Sequence, residues 1–343
     1  MNLTNRRIKQ QMNLIKKLSF IIFISLVVFS CKTDSKTTNK VTVETPTTRR
    51  KVPKFEAENA YASIEKQVEF GPRYPGSKAH RKLIDHLTSE LNKYTDKVIQ
   101  QDFKATFLDV KNVDATNIIG IVNPDMKKRI LLCAHFDTRK IAEKDENDDL
   151  KNKPILGADD GGSGVAVLLE IARLIKENGI DIGVDFVLFD AEDNGNTGTN
   201  TNWCLGSKYW SKNPHIKGYK AEFGILLDLV GAKNAEFGKE YYSQQSASKY
   251  LNKVWKMAAN MSYGNYFLDM ESGSVEDDHV YVIKNLRIPM IDIINMSRTE
   301  GRNGFDHYHH THKDDMNIID KNTLKAVGKV VTASIYNFSN GTF

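Results

Sequence analysis

Apolar and polar positions along this chain follow two periods. Ala57–Phe70 and Ser77–Tyr94 place apolar residues at helical spacing, and Gly71-Pro72-Arg73-Tyr74-Pro75-Gly76 between them has the composition of a turn. Short apolar runs at Val98–Phe103, Thr116–Val122, Ile130–Ala134, Val184–Phe189, Phe223–Leu229 and Ile288–Ile294 predict strands. Helical spacing returns at Ser163–Glu177, Ser246–Asn260, Val275–Lys284 and Lys321–Phe338. Strands alternating with helices favour a largely parallel sheet covered on both faces. Val98–Val122 reads as an antiparallel hairpin at one edge, which makes the sheet mixed. The expected fold is α/β, a three-layer sandwich with a central mixed, mostly parallel β-sheet flanked by helices. No fixed-period repeat is visible.

The N-terminal end breaks this pattern. A cationic stretch precedes Leu18–Phe29, which is almost wholly apolar but too short to span a bilayer comfortably. Residues 1–30 are therefore expected to be a signal peptide. Val28-Phe29-Ser30-Cys31 resembles a bacterial lipoprotein cleavage site with Cys31 as the lipidated first residue; an ordinary signal peptide with an incidental cysteine is the alternative. Residues 31–55, rich in Thr and Lys, are expected to be a disordered tether, and 56–343 a single catalytic α/β domain. The expected location is that of an exported bacterial lipoprotein, anchored in a membrane through Cys31 and facing the periplasm.

Charge supports the same division. The formal net charge is +5, with 48 basic and 43 acidic residues. Residues 1–30 hold five bases and no acid, and residues 31–55 hold seven bases against Asp34 and Glu44. From residue 56 onward, 36 bases thus face 41 acids, and the basic balance gives no support for nucleic-acid binding. Apart from Cys31, only Cys133 and Cys204 are present, so the fold is not expected to depend on disulfides.

Candidate chemistry lies just after the apolar runs, in Leu131–Asp137, Gly157–Gly162, Leu188–Asp193, Leu226–Gly231 and His309–Asp314. Ligand sites of open α/β sheets collect at the carboxyl ends of strands, and Asp, Glu and His are zinc's oxygen and nitrogen ligands. Asp160 precedes two glycines and a helix, so it reads as a ligand, whereas Asp159 reads as a structural, cap-like residue. Glu192-Asp193 can split roles because neighbours in extended chain point opposite ways. Of the histidines at 307, 309, 310 and 312, His310 sits in the most orderly stretch. Asp160, Asp193 and His310 would form a three-ligand site with an open fourth position. Asp228 ends a strand and is too polar to bury alone; Asp277 lies in an acidic run that equally suits a helix start. Of the two long loops, Arg139–Leu156 is expected to be flexible, and Asp193–Cys204 to form a rim.

Gly71-Pro72-Arg73-Tyr74-Pro75-Gly76-Ser77, Gly157-Ala158-Asp159-Asp160, Phe189-Asp190-Ala191-Glu192-Asp193, Leu226-Leu227-Asp228-Leu229-Val230-Gly231-Ala232, Glu276-Asp277-Asp278-His279 and His310-Thr311 occur in this order. Together they resemble the zinc-dependent glutaminyl cyclases, relatives of the two-zinc aminopeptidases, over roughly residues 56–338. The resemblance implies a zinc-exopeptidase-like fold and one Zn2+ per chain, held by Asp160, Asp193 and His310. It implies Glu192 as the proton-shuttling acid/base, Asp228 and Asp277 as acids around the substrate amine, and Trp203 as a substrate-binding wall. His135 and Asp137 match the pair that serves a second zinc in the aminopeptidases. Two departures set the chain apart from the animal enzymes: Asp193 stands where they have Glu, and His309 where they have a tryptophan.

The activity so implied is cyclisation of N-terminal glutamine of peptides and proteins to pyroglutamate with release of ammonia. The alternatives are a two-zinc aminopeptidase, whose ligand types are all present, and a lipid-anchored binding protein on the same scaffold.

Overall fold

In the structure, a computed structural model, residues 49–297 and 304–343 are described. The expected signal peptide, Cys31 and the tether up to residue 48 lie outside the described residues. Order begins upstream of the expected boundary at 56. Arg50 donates to Asp181 Oδ1 at 2.8 Å and to the Asn178 carbonyl at 3.0 Å. Phe55 is buried against Gly328, where an added Cβ would fall 2.3 Å from the Phe55 ring. Residues 49–55 therefore belong to the folded unit. Among the described residues no helix is long and apolar enough to cross a membrane.

The helices are α1 (Ala57–Glu69), α2 (Lys78–Tyr94), α3 (Ser163–Asn178), α4 (Leu205–Lys212), α5 (Tyr241–Asn260), α6 (Asp278–Leu286) and α7 (Lys321–Ser339). The strands of the main sheet are β1 (Lys97–Phe107), β2 (Val110–Val122), β3 (Arg129–His135), β4 (Gly183–Phe189), β5 (Gly224–Asp228) and β8 (Met290–Ile294), in the order β1-β2-β4-β3-β5-β8. The expected edge hairpin is present: β1 and β2 are antiparallel, as are β2 and β4. The other three pairings are parallel. Every residue of β3 and β4 is buried, as continuous apolar runs in the middle of a doubly covered sheet require. Helix α3 is buried along most of its length and packs under this sheet with α1 and α7.

From β3 the chain steps through α3 to β4 on one side, then crosses to β5 on the other. The strand order thus reverses around β3, and such a reversal opens a crevice at the carboxyl edge of the sheet. His135, Phe189, Asp228 and Ile294 end their strands along that edge, with His135 opposite Phe189 and Asp228 opposite Ile294.

Three features go beyond the sequence expectation. A second sheet, ordered β10-β9-β6-β7, contains β6 (Phe237–Glu240), β7 (Phe267–Gly273), β9 (Met296–Ser297) and β10 (Gly304–Phe305). Three of its strands, β6, β9 and β10, have only two to four residues and carry no readable period. Helix α4 follows Trp203-Cys204 directly and is only eight residues long. Helix α5 starts at Tyr241 instead of Ser246, because Glu240 caps it by accepting the Ser243 N–H; its backbone leaves helical geometry at Ala247, beside the expected start.

Candidate active site

One cavity of about 350 Å³ lies at this carboxyl edge, and Asp160, Glu192, Asp193, Trp203, Asp228, Asp277 and His310 all line it. They come from six separate stretches of chain. Glu143, Lys144, Phe305 and His309 complete much of the wall.

His310 joins the expected ligands. Its Nε2 lies 2.9 Å from Asp193 Oδ1 and 3.8 Å from Asp160 Oδ2. Its Nδ1 lies 2.8 Å from Glu143 Oε1, so Glu143 takes one ring nitrogen and leaves the other facing the two aspartates. Asp193 Oδ2 is buried without a hydrogen-bond partner. Two buried carboxylates, an oriented imidazole and an orphaned oxygen form a donor set that suits a divalent cation. A second grouping shares Asp160: His135 Nε2 lies 3.1 Å from both Asp160 Oδ1 and Asp228 Oδ1. His309 adds a third possibility, with one donor atom each of Asp160, His309 and His310 mutually within 4.8 Å.

The loop that carries Asp160 is held from two sides. The fully buried Arg73 donates from Nη2 to the Gly157 carbonyl at 2.7 Å and from Nη1 to the Leu156 carbonyl at 2.5 Å. The Asp314 carboxylate accepts the Asp159 and Asp160 N–H groups at 2.7 and 3.1 Å. A Cβ at Gly161, where φ is +82°, would stand 2.3 Å from the Asp137 carbonyl oxygen, so only glycine fits there. Asp159 is structural, but not as a cap. Gly162 occupies the N-cap position of α3, and the Asp159 carboxylate instead accepts the Gly231 N–H and the Tyr308 hydroxyl, each at 2.6 Å.

Glu192 and Asp193 are placed by Asp137. Its carboxylate accepts the N–H groups of Glu192 at 2.9 Å and Asp193 at 3.3 Å, and the Asn194 side-chain amide at 2.9 Å. Both Asp137 oxygens are thereby occupied with backbone support. Ala191 just before them has φ +55°, a conformation unusual for a residue with a Cβ and one that turns the acidic pair sharply off the end of β4. The Glu192 Oε1 accepts from Cys204 Sγ at 3.2 Å. Below this turn Asp190 is paired with His80, whose Nε2 lies 2.9 Å from both carboxylate oxygens.

Asp277 combines the two roles its sequence left open. It is the N-cap of α6, accepting the Asp278 N–H, and it lines the cavity. Trp203 stacks on His310 with ring centroids 5.9 Å apart and planes 6° from parallel, and the Arg139 guanidinium lies 4.5 Å from the Trp203 ring centre. Glu143 and Lys144 bring part of the Arg139–Leu156 loop into the cavity wall. Arg139 is fully buried, pairs with Glu143 at 2.6 Å and donates to the Asp193 carbonyl at 2.5 Å. Lys144 Nζ lies 2.5 Å from His309 Nδ1. His312 and His307 turn elsewhere, to Asp145 and Asp306. Sequence reasoning missed Glu143, Arg139 and the bridging role of Asp314, since a polar loop has no period and their partners lie far away in sequence.

Enclosure sets the protonation of the carboxyls. Burial, reinforced by Asp277 and Asp160, pushes Asp228 up to about 7 despite the His135 hydrogen bond. Burial, then Asp160, moves Asp193 up to about 6 against the pull of His310. Glu192 is raised well above the carboxylate range by burial, with Asp277, Asp193 and Asp278 adding to it. Burial works in the same direction on Asp160, but His135, His309 and His310 together bring it below its ordinary value. Burial also opposes ionisation of Glu143, yet His310 and Arg139 hold it at about 2. The site therefore holds ionised Asp160 and Glu143 beside a group of carboxyls that share protons.

Known proteins resemble this chain over most of its length. Residues 117–335 match Peptidase family M28. The Tannerella forsythia glutaminyl cyclase is 48% identical, with a TM-score of 0.80, over 83% of this chain and 99% of that one. A Zn-dependent exopeptidase from Parabacteroides distasonis is 46% identical, with a TM-score of 0.81, over 84% of this chain and 100% of that one. The glutaminyl-peptide cyclotransferase of Bothrops jararaca is 23% identical over 303 residues, which cover 80% of this chain and 78% of its own. The family match runs from β2 to α7 and takes in Asp160, Glu192, Asp193, Asp228, Asp277 and His310. The chain belongs to Peptidase family M28.

Proposed function

We propose that this protein is a glutaminyl-peptide cyclotransferase, which closes the N-terminal glutamine of peptides and proteins to pyroglutamate and releases ammonia. We assign one zinc ion per chain to Asp160, Asp193 and His310. The observation that carries the reading is the convergence of this donor set with three further carboxyls, Glu192, Asp228 and Asp277, and the Trp203 wall on one cavity. The solved glutaminyl cyclases, 48% identical in the Tannerella forsythia case, support it.

The orphaned Asp193 Oδ2 and the Glu143-oriented imidazole of His310 fit a bound cation. When bound, zinc supplies Lewis-acid polarisation of the γ-amide carbonyl. The remaining work belongs to the chain's own groups. Asp228 and Asp277 hold the substrate α-amine, sharing protons because adjacent buried carboxyls do not all ionise. The amine nitrogen attacks the γ-amide carbon, closing a five-membered lactam as the bond from that carbon to the amide nitrogen breaks. Glu192 accepts the proton lost by the attacking amine and returns it to the departing nitrogen, which leaves as ammonia. A group that takes and returns one proton needs an affinity near neutrality, and burial raises Glu192 in that direction. Trp203 packs against the glutamine side chain and, with Phe305, excludes water that would hydrolyse the amide instead.

The His135–Asp160–Asp228 grouping favours a second reading, a two-zinc aminopeptidase. Mass spectrometry of a Gln-initiated peptide after incubation with the zinc-loaded protein separates the two. Loss of one ammonia with the chain length kept supports cyclisation; release of the first residue supports the peptidase; an unchanged peptide leaves a binding protein. One zinc per chain accords with the first outcome, two with the second.

The membrane anchor at Cys31 and the periplasmic location are part of the same proposal and rest on the N-terminal sequence. Incorporation of labelled fatty acid that disappears in Cys31→Ser is the expected result, and equal labelling of both proteins contradicts it.

A further inference from the structure

Glu192 is fixed at three points. Its N–H donates to Asp137 Oδ1 at 2.9 Å, its carbonyl accepts the Cys204 N–H at 2.9 Å, and its Oε1 accepts from the Cys204 thiol at 3.2 Å. Two of the three come from one residue that has no step in the reaction. The Leu205 N–H donates to the Ala191 carbonyl at 3.0 Å, so 191–192 and 204–205 are zipped together along the backbone. Cys204 is fully buried, and its φ of +53° lies in the left-handed region. A residue with a Cβ keeps that conformation only where its surroundings impose it. One donor atom each of Glu192, Cys204 and Asp277 lie mutually within 4.8 Å, so the thiol also stands beside the other acid of the cavity wall.

We propose that Cys204 is a positioning residue for Glu192: its thiol holds Oε1 and so aims Oε2 at the substrate. The proposal rests on the reading of Glu192 as the proton carrier. Burial, with the charges of Glu192, Asp278 and Asp277, keeps the thiol protonated and hence a donor. A weak donor suits the task. A strong one would compete with the amine proton for the carboxylate, whereas a thiol fixes the rotamer with little effect on basicity. Cys204 Sγ has a second, longer contact of 3.8 Å to the Glu276 carbonyl, which ties the same thiol to the residue preceding Asp277.

The test compares the full-length wild type with Cys204→Ala and Cys204→Ser on a Gln-initiated peptide. Loss of the thiol should lower kcat about tenfold, because a misaimed reacting group is costly, while KM stays within about twofold and zinc content is unchanged. Serine, which still donates, should recover part of the loss. An unchanged kcat in Cys204→Ala, a loss confined to KM or zinc, or serine no better than alanine would each overturn the assignment. An activity-independent readout separates this failure from that of the cyclase reading. The infrared difference between wild type and Cys204→Ala isolates the Cys204 S–H stretch, which should move to higher frequency when Glu192→Ala removes its acceptor. An unmoved band overturns the proposal whether or not the wild type cyclises glutamine.

Discussion

Glu143 Oε1 lies 2.8 Å from Nδ1 of His310, across 167 residues of sequence. The contact fixes which ring nitrogen of His310 faces Asp160 and Asp193, and His310, together with Arg139 on the other Glu143 oxygen, lowers the carboxyl's proton affinity against the effect of burial. Outer partners of this kind typically govern metal affinity by about 10–100-fold. Glu143→Ala should weaken zinc binding by that order, measured by competition with a chromophoric chelator. An affinity equal to wild type would remove Glu143 from the support of the site.

Asp193→Ala should lose the metal altogether, because it removes both the 2.9 Å partner of His310 and the oxygen that has no other bond. Zinc content measured by atomic emission after dialysis checks this. Wild-type stoichiometry in the variant contradicts the ligand assignment.

Glu192→Gln should keep its zinc and fold yet lose turnover by about 10²–10⁴, the usual share of a positioned proton carrier. Ammonia release from a Gln-initiated peptide gives the rate. A variant retaining most of the activity would falsify the proton-transfer role.

His80 provides a pH-dependent contribution to stability. Burial lowers its proton affinity, but the Asp190 carboxylate at 2.9 Å outweighs burial, so its folded-state value is raised. The sign follows directly: a raised histidine stabilises fully below its unfolded value of about 6.5, and the contribution fades as pH rises through the folded value. His80→Ala, which leaves Asp190 buried without its cation, should cost about 3–5 kcal/mol near pH 6. The gap to wild type in denaturant titrations should narrow toward pH 9. A gap that is constant or widens with pH would refute the linkage.

Much of this was legible beforehand because local patterns report local forces. The two helices before the sheet, the edge hairpin and the buried runs of β3 and β4 follow from where apolar side chains recur. The helix expected over Ser163–Glu177 was equally visible and runs one residue further, to Asn178. Glu192, Asp193 and Asp228 were candidates because acids placed just after apolar runs gather at one sheet edge once those runs become parallel strands; Asp160 was a candidate from the glycines and helix that follow it, and His310 from the histidine-rich stretch around it. The second sheet was not readable, because strands as short as β9 and β10 contain too few residues to show a period.

Sequence by itself determined the layers of the fold and the pool of chemical groups, since periodicity decides which faces are buried and strand polarity decides which ends carry function. It could not decide partners. That Glu143 grips His310, that Asp314 holds the amides of Asp159 and Asp160, and that Cys204 meets Glu192 depend on loops brought together from as many as 167 residues apart. Only the closed tertiary structure sets those distances, because a hydrogen bond depends on position within a few tenths of an ångström and a polar loop has no periodic signal to declare it.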